Sequence, residues 1–582
     1  MPMEQFLQAR EPYQMDESAA ALTMPSQLRA AAADSQDIEA VVDGDLRLTY
    51  GDLATRVDEF ARALIAVGVQ PGDAVSIWAP NSVTWVIASL GAHAAGAVLV
   101  PVNTRYKGAE ARELLARARV GLLLVDQGFL GNDYLGMLRA ATADAAPADA
   151  APDGPMLPGL PSLRTIVTTG PADASAAMSY AEFLAGAARV DTGEADRRAD
   201  AVTPATLCDI LFTSGTSGTP KGVMTSHAAA VRASDAWATG VGLRAGDRYL
   251  VINPFFHSFG YRAGLHACIL KRATMVPLAV FDVEATLRIA EAERISVLPG
   301  PPTLFHSILD DPRLRDFDLS ALRLVVTGSS TVPEALMYRI RGEMPSVETV
   351  ISPYGLTEVA GTATVCPLDA PVKKMSTTVG TAIPDTEVAI VDRGGQALPP
   401  GHDGEIVIRG YNVMVGYFEE PGATAEAIDA GGWLHTGDVG RLDDEGYLTV
   451  TGRLKDVFQT GGFNVYPVEV EQMLATHPMI AEAAVIGLPD ARLGEVAHAF
   501  VVPVRGCSPE PEDVIAFARA RIANFKVPRG VTVVRELPRT PLGKVQRFRL
   551  TVPGAAQPAA DTSTSGGTLP RPVQAATRRS DA

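Results

Sequence analysis

Basic charge is scarce in this chain of 582 residues. Fifty lysines and arginines stand against 67 aspartates and glutamates, a net charge of −17 with histidine neutral. A protein this acidic is a poor general binder of nucleic acid, so a polyanionic ligand has to be held by a local arrangement of donors. Cysteine is scarce too. Cys208, Cys268, Cys366 and Cys507 stand far apart, with no pair at metal-ligand or redox spacing, and read as ordinary buried thiols in a reducing compartment. Long apolar runs are missing. The longest weakly polar stretch, Val83 to Val102, is broken by Gly91, Gly96 and Pro101 and contains His93, so a helix followed by a buried strand fits it better than a membrane span. Met1 to Glu17 carries Glu4, Arg10, Glu11 and Asp16 without an apolar segment, which argues against a secretory signal. The nine histidines form no His/Glu zinc pattern. A soluble, cytoplasmic protein is expected, a monomer or homodimer with no nucleic-acid partner and no integral membrane association.

What is present is apolar mass and alternation. Hydrophobic residues make up 47% and charged residues 20%, which predicts a large packed core. At about 100–200 residues per unit, the length suggests roughly three to five folding units. Asp282 caps a predicted helix through about Ala292, Ile295 to Leu298 reads as a short buried strand, and Pro302 opens a helix over Thr303 to Leu309. Leu322 to Val326 is strand-like again and ends at Thr327-Gly328-Ser329-Ser330. This alternation predicts α/β layers with parallel sheets, with ligands at the carboxyl ends of strands. Ala140 to Pro161, rich in Ala, Asp and Pro, is read as a flexible surface insertion, and Pro553 to Ala582 as a disordered tail. Near Lys455 the grain changes. A strand over Tyr447 to Thr451 runs into Gly452-Arg453-Leu454-Lys455-Asp456, a Gly-rich loop follows, and Pro467 opens a helix with Glu469 and Glu471 in its first turn. The expected division is an N-terminal extension 1–25, a large domain 26–454, a small domain 455–552 and the tail 553–582.

The most informative stretch is Thr213-Ser-Gly-Thr-Ser-Gly-Thr-Pro-Lys-Gly222, directly after the apolar Ile210-Leu211-Phe212. Its glycines let the backbone turn tightly and present N–H groups, five hydroxyls add donors, and Lys221 adds a cation, a combination suited to a triphosphate. It is not a Walker P-loop, because Pro220 precedes the lysine and Gly222 replaces the Ser/Thr after it. Tyr354-Gly-Leu-Thr-Glu358 offers a ring for a base and a carboxylate for Mg²⁺. Thr436-Gly437-Asp438 offers a carboxylate to a ribose diol. Gly452-Arg453-Leu-Lys455-Asp456, Gly461-Gly462-Phe463-Asn464-Val465-Tyr466-Pro467 and Pro538-Arg-Thr-Pro-Leu-Gly543-Lys544 complete the series.

In this order the motifs resemble the adenylate-forming superfamily of acyl-CoA synthetases, luciferases and peptide-synthetase adenylation domains, over about Ser26 to Leu550. Gly404 to Tyr417 and Gly96 to Tyr106 match further segments of that family. The resemblance implies a large N-terminal domain of α/β layers with a small β-barrel portion and a small, mobile α+β C-terminal domain. It also implies roles. Thr213, Ser214, Gly215, Thr216, Ser217, Gly218 and Lys221 would wrap the ATP phosphates. Tyr354, with Gly355, Gly328 and Ser329 nearby, would face the adenine. Thr357 would touch the α-phosphate, Glu358 with Thr216 would hold Mg²⁺, and Asp438 and Arg453 would bind the ribose. Lys544 would bridge the attacking carboxylate and the α-phosphate. Lys455 would be the hinge, and Gly461, Gly462 and Phe463 would line the tunnel for coenzyme A. Some family members carry an Arg where Asn464 stands.

Amino-acid-activating relatives carry a Phe-Asp pair whose Asp holds the substrate ammonium. Here the matching region is Asn253-Pro-Phe-Phe-His257-Ser-Phe-Gly260, without an acid, which favours a simple organic acid. His257 resembles the family's gate between acyl pocket and thiol tunnel; a packed histidine is the alternative. Ser258 lacks the Gly-x-Ser-x-Gly flanks of a hydrolase elbow. Phe255, Phe256, Phe259 and Tyr261 are expected to ring His257 as an apolar pocket. Asn253 to Tyr261 and Leu298-Pro-Gly-Pro-Pro-Thr303 resemble the bacterial ligases that activate an indane-dione propanoate from steroid-ring breakdown; medium- and long-chain fatty-acid ligases share much of this. The expected activity is therefore AMP-forming ligation of a carboxylic acid to CoA with ATP and Mg²⁺. A non-catalytic nucleotide- or acyl-binding relative is the rival class.

Overall fold

Val83 to Val102 folds as the sequence pattern requires: a helix Val83–Ala94, capped by the Ser82 hydroxyl, then a strand Val98–Pro101. The helix is buried on nearly all its faces, which explains its unbroken apolar composition. The computed structural model describes residues 22–143, 157–170, 177–213, 220–328, 332, 334–460, 463–490, 492–539 and 545–552. Among these, no helix is long and apolar enough to cross a membrane.

Two mostly parallel sheets build the N-terminal part. One has seven strands, with Arg248–Val251, Thr274–Pro277, Val297–Gly300, Leu324–Thr327 and Thr349–Ile351 in parallel register and the hairpin Glu39–Asp43/Leu46–Thr49 at one edge. The other has eight. Leu207–Thr213, Val98–Pro101, Ala74–Trp78, Leu122–Val125 and Thr165–Thr168 are parallel, and Lys221–Ser226 turns back antiparallel to Leu207–Thr213 near the other edge. A single apolar core joins residues of both sheets, including Val41, Tyr249 and Met275 of one and Val75, Ile77 and Leu99 of the other, through the helices Tyr50–Ala66, Val83–Ala94 and His227–Gly240. Parallel strands buried on both faces read as continuous Val/Leu/Ile runs, as here.

The caps follow the sequence. Asp282 accepts from the Ala285 N–H to start Val283–Ala292, and Pro302 opens Pro302–Leu309. The strand expected over Ile295 to Leu298 lies two residues later, at Val297–Gly300. The β-barrel portion takes the form of an open four-stranded antiparallel sheet, Thr386–Val391, Gly404–Gly410, Leu434–Leu442 and Leu448–Arg453. After Lys455 a five-stranded sheet, centred on Ile480–Asp490 and Gly494–Pro503, packs its own core of Phe458, Val470, Leu474, Val485 and Val514.

Three expectations are corrected. The segment 140–161 is not wholly a surface insertion: the helix Tyr134–Ala143 runs into it, and Leu157 and Leu160 are buried against the core that holds Trp78 and Ile166, because two leucines gain more by leaving water than the polar composition around them suggests. Cys507 is half-buried, while the other three cysteines are buried. Glu471 lies beyond the first turn of Pro467–Leu474 and serves an ion pair described below. The segments 1–17 and 553–582 lie outside the described residues.

Candidate active site

Thr213 and Lys221 stand opposite each other at the ends of two antiparallel strands, and the Thr213 hydroxyl donates to the Lys221 carbonyl. The strand pair thus fixes both ends of the segment that carries the hydroxyls and glycines. Arg117, at the end of the helix Gly108–Arg117, holds that corner from outside: it donates to the Pro220 carbonyl, pairs with Glu420, and lies 5.6 Å from the centre of the Phe212 ring. Gly416–Tyr417 adds as a further strand beside Lys221–Ser226. That register sets the Lys221 ammonium 4.8 Å from the centre of the Tyr417 ring.

The Tyr417 hydroxyl donates to Glu358 Oε1 at 3.1 Å. Burial, reinforced by the Glu358 charge, pushes the phenol well up from its usual range, so it acts as a donor throughout physiological pH. Glu358 sits in a tight turn, Thr357–Val359, that ends at Ala360 and Gly361, both in the left-handed region. Gly355 closes this turn. A Cβ there would lie 2.2 Å from the Gly361 carbonyl oxygen, so no larger residue permits the approach.

Tyr354 donates its hydroxyl to Asp438 Oδ2 at 2.8 Å, and Arg453 Nε pairs with Asp438 Oδ1 at 2.8 Å. Asp438 and Arg453 are partners across neighbouring strands, and the Asp438 carboxylate is buried while Arg453 stays half-exposed. Ring, carboxylate and guanidinium therefore form one connected unit. Gly328, after the strand Leu324–Thr327, brings its backbone beside the Pro353 carbonyl, next to Tyr354.

His257 accepts from the Phe259 N–H through Nδ1 at 3.3 Å and so caps the short helical turn Ser258–Gly260. Buried Asn81 fixes the segment before it, donating to the Val251 and Asn253 carbonyls and accepting from the Phe255 N–H at 2.7 Å. The expected ring of aromatics round His257 is overturned for Phe255 and Tyr261. Phe256 and Phe259 are partly exposed. Phe255 is fully buried, stacked on Trp85 at 5.0 Å, and Tyr261 is fully buried with its hydroxyl 2.6 Å from His93 Nε2. Both rings have better partners in the core between the sheets than a pocket offers.

Lys455 is exposed in the turn Leu454–Asp456 that joins the four-stranded sheet to the C-terminal one. Arg547, three residues after Lys544, donates to both oxygens of Glu471 at 2.8 Å and reaches Asp456 at 3.4 Å, tying the segment after Lys544 to the residue after Lys455. Phe463 lies on the strand Phe463–Val465. Ser214, Gly215, Thr216, Ser217, Gly218, Ser329, Gly461, Gly462 and Lys544 lie outside the described residues.

The structure therefore brings Thr213, Lys221 and Glu358 together through Tyr417, and Tyr354, Asp438 and Arg453 together directly. Tyr417, Arg117 and Asn81 carry no role in the sequence reading. Tyr417 closes the family-like segment 404–417 and was open to assignment there. Arg117 and Asn81 act across 103 and at least 170 residues, separations at which no local pattern signals contact.

A hydroxyl- and glycine-rich segment between two strand ends, a carboxylate linked to it and a separate Tyr–Asp–Arg unit make a nucleotide-binding class of α/β protein. The AMP-binding enzyme family matches residues 28–418, and the AMP-binding enzyme C-terminal domain matches residues 469–544. The chain belongs to the AMP-binding enzyme family. It is 47% identical over 90% of its length to a 3-(7a-methyl-1,5-dioxo-octahydro-1H-inden-4-yl)propanoyl:CoA ligase of Rhodococcus jostii (strain RHA1), covering 97% of that protein. It is 46% identical to the ligase of the same description from Mycobacterium tuberculosis (strain ATCC 25618 / H37Rv), over 91% of this chain and 98% of that one. Among solved structures, ATP-bound MatB from Rhodopseudomonas palustris aligns with a TM-score of 0.77 at 28% identity, covering 90% of this chain and 97% of that chain.

Proposed function

We propose that this enzyme is an AMP-forming acid–CoA ligase whose acid is a bicyclic, ketone-bearing propanoate of the indane-dione type. The observation that carries the reading is the near-complete coverage at 47% identity by a ligase named for such an acid. The Tyr354–Asp438–Arg453 unit and the Lys221–Tyr417–Glu358 link supply sites for nucleoside and phosphate that the reaction needs.

The chemistry proceeds in two steps. A carboxylate is a poor electrophile, so its oxygen first attacks the α-phosphorus of ATP and pyrophosphate leaves, giving an acyl-adenylate. The CoA thiol then attacks the acyl carbon and AMP leaves. Two anions meet in the first step. Lys544 neutralises the approaching carboxylate and α-phosphate, the 213–218 segment with Lys221 holds the phosphates, and Thr357 donates to the α-phosphate. Asp438 accepts from the ribose hydroxyls and Tyr354 packs against the adenine. Glu358, an oxygen donor linked to Lys221 through Tyr417, has the hard-ligand chemistry that Mg²⁺ takes, with Thr216 as its companion. Mg²⁺ when bound would offset phosphate charge.

The two steps need different groups around one carbonyl. The domain division proposed is therefore functional: 26–454 binds ATP and acid, and 455–552 turns about Lys455 to exchange Lys544 for the Gly461–Phe463 tunnel, with His257 as gate. Residues 1–25 and 553–582 flank this machinery. Cytoplasmic location suits the need for ATP and CoA.

The test is a competition of carboxylic acids. AMP release that requires CoA is expected with a bicyclic keto-propanoate, with octanoate and palmitate poorer and free amino acids inert, because an unpaired ammonium buried beside Phe256 and Phe259 costs several kcal/mol, of the order of 2–7 even for a neutral polar group. A straight-chain acid that won by about tenfold in kcat/KM would overturn the ring-acid assignment and leave the ligase.

A further inference from the structure

Behind His257 the fold buries a second polar cluster that nucleotide chemistry does not use. Tyr261–His266 is a single π-helical stretch with every residue buried, a form that recurs where a helix has to aim side chains at a site. It directs Arg262 and His266 toward His93 of Val83–Ala94, Cys208 and Asp209 of Leu207–Thr213, and His227 of His227–Gly240. Arg262 is 2% exposed and spends only one nitrogen: Nη2 donates to both oxygens of Asp209 at 2.8 Å. Its Nε and Nη1 have no hydrogen-bond partner among the described residues, and neither have both ring nitrogens of His266 and Nδ1 of His93. Buried donors left without partners are rare in folded proteins, and each needs a water, an ion or a ligand atom to satisfy it.

The stem of Arg262 reaches the corner between Ser258 and Gly361. A Cβ built on Gly361 would lie 3.5 Å from Ser258 Cβ and 3.8 Å from Arg262 Cδ. Gly361 follows Glu358 by three residues and packs on Gly355, while Ser258 adjoins His257. The guanidinium thus lies beneath the corner between the Tyr354–Glu358 turn and the proposed gate.

We infer that Arg262 determines substrate specificity by donating from Nε and Nη1 to a neutral carbonyl oxygen on the body of the acid, remote from the reacting carboxylate. The inference rests on the acid–CoA ligase reading. Charge selects the ligand class. Asp209 already balances Arg262, so a second carboxylate would be an uncompensated charge in a dry site, whereas a ketone brings acceptor lone pairs and no charge. His93, Cys208 and His266 place their ligand atoms within 4.8 Å of one another, a spacing compatible with a metal ion. The adjacent guanidinium opposes a cation there.

The experiment compares a bicyclic keto-propanoate with the same acid lacking its ring ketones, with octanoate as a third arm. Wild-type enzyme is expected to favour the keto acid over its deoxy partner by about 10–100-fold in kcat/KM, the range for one hydrogen bond to a charged group. Arg262→Met combined with Asp209→Asn removes both charges together, so no buried ion is stranded. In that variant the preference should fall to about threefold or less, chiefly through KM, and Arg262→Lys should restore part of it. Equal use of both ring acids by the wild type overturns the inference whether or not any variant folds. So does a folded double variant that keeps the preference, or a stoichiometric metal in the purified protein. If no acid, octanoate included, gives CoA-dependent AMP, the ligase reading falls and takes the inference with it.

Discussion

The Tyr417 hydroxyl rests on Glu358 while the face of the same ring lies under the Lys221 ammonium, so one side chain couples the carboxylate of one motif to the cation of another. Tyr417→Phe keeps the ring and deletes the hydrogen bond. If Glu358 holds Mg²⁺ as proposed, loss of its hydrogen-bond partner costs on the order of 10–100-fold in metal affinity or activity. The expected result is a raised Mg²⁺ requirement in the pyrophosphate-exchange assay, with thioester formation from supplied acyl-adenylate little changed. An unaltered Mg²⁺ dependence would separate Tyr417 from the phosphate site.

Lys544 is expected to matter when carboxylate meets phosphate and little afterwards. Lys544→Ala should lower adenylation by about 10²–10³-fold, the scale for one electrostatic group aimed at developing charge. Turnover of preformed acyl-adenylate with CoA should survive. Equal losses in both half-reactions would refute the role.

A hinge residue has to change its backbone torsions, and proline fixes φ near −65°. Lys455 lies exposed in the connecting turn, where the substitution meets little packing. Lys455→Pro should leave pyrophosphate release intact and block acyl-CoA formation. Full overall turnover by the variant would remove the hinge from this position.

Acid should unfold the protein through its buried histidines. Burial first, then the charge of Arg262, holds His227 down to about 3, and burial with neighbouring charges lowers His93 and His266 as well. The unfolded chain takes these protons near pH 6.5, so it binds more protons than the fold and stability falls as pH drops below that value. His227 alone should cost about 1 kcal/mol between pH 7 and pH 5.5. Urea midpoints at the two pH values, compared with those of His227→Gln, measure this. An unchanged pH difference in the variant would show that His227 is not neutral in the fold.

The helix caps, the parallel core strands and the order of the nucleotide motifs were set by the sequence, because each depends on residues within a few positions. Asp282 caps its own helix three residues away, and Thr213 to Gly222 carry their donors in one run. Aromatic composition round His257 was a poorer guide. Four rings look alike in the chain, yet only packing sent Phe255 to Trp85 and Tyr261 to His93 while Phe256 and Phe259 stayed near the surface. The leucines at 157 and 160 were likewise hidden by the polar residues around them. Tertiary structure alone joined Tyr354 to Asp438 across 84 residues, Tyr417 to Glu358 across 59, and Arg262 to Asp209 across 53. Hydrogen-bond direction and burial are properties of two surfaces meeting. A single strand or helix, read by itself, holds only one of them.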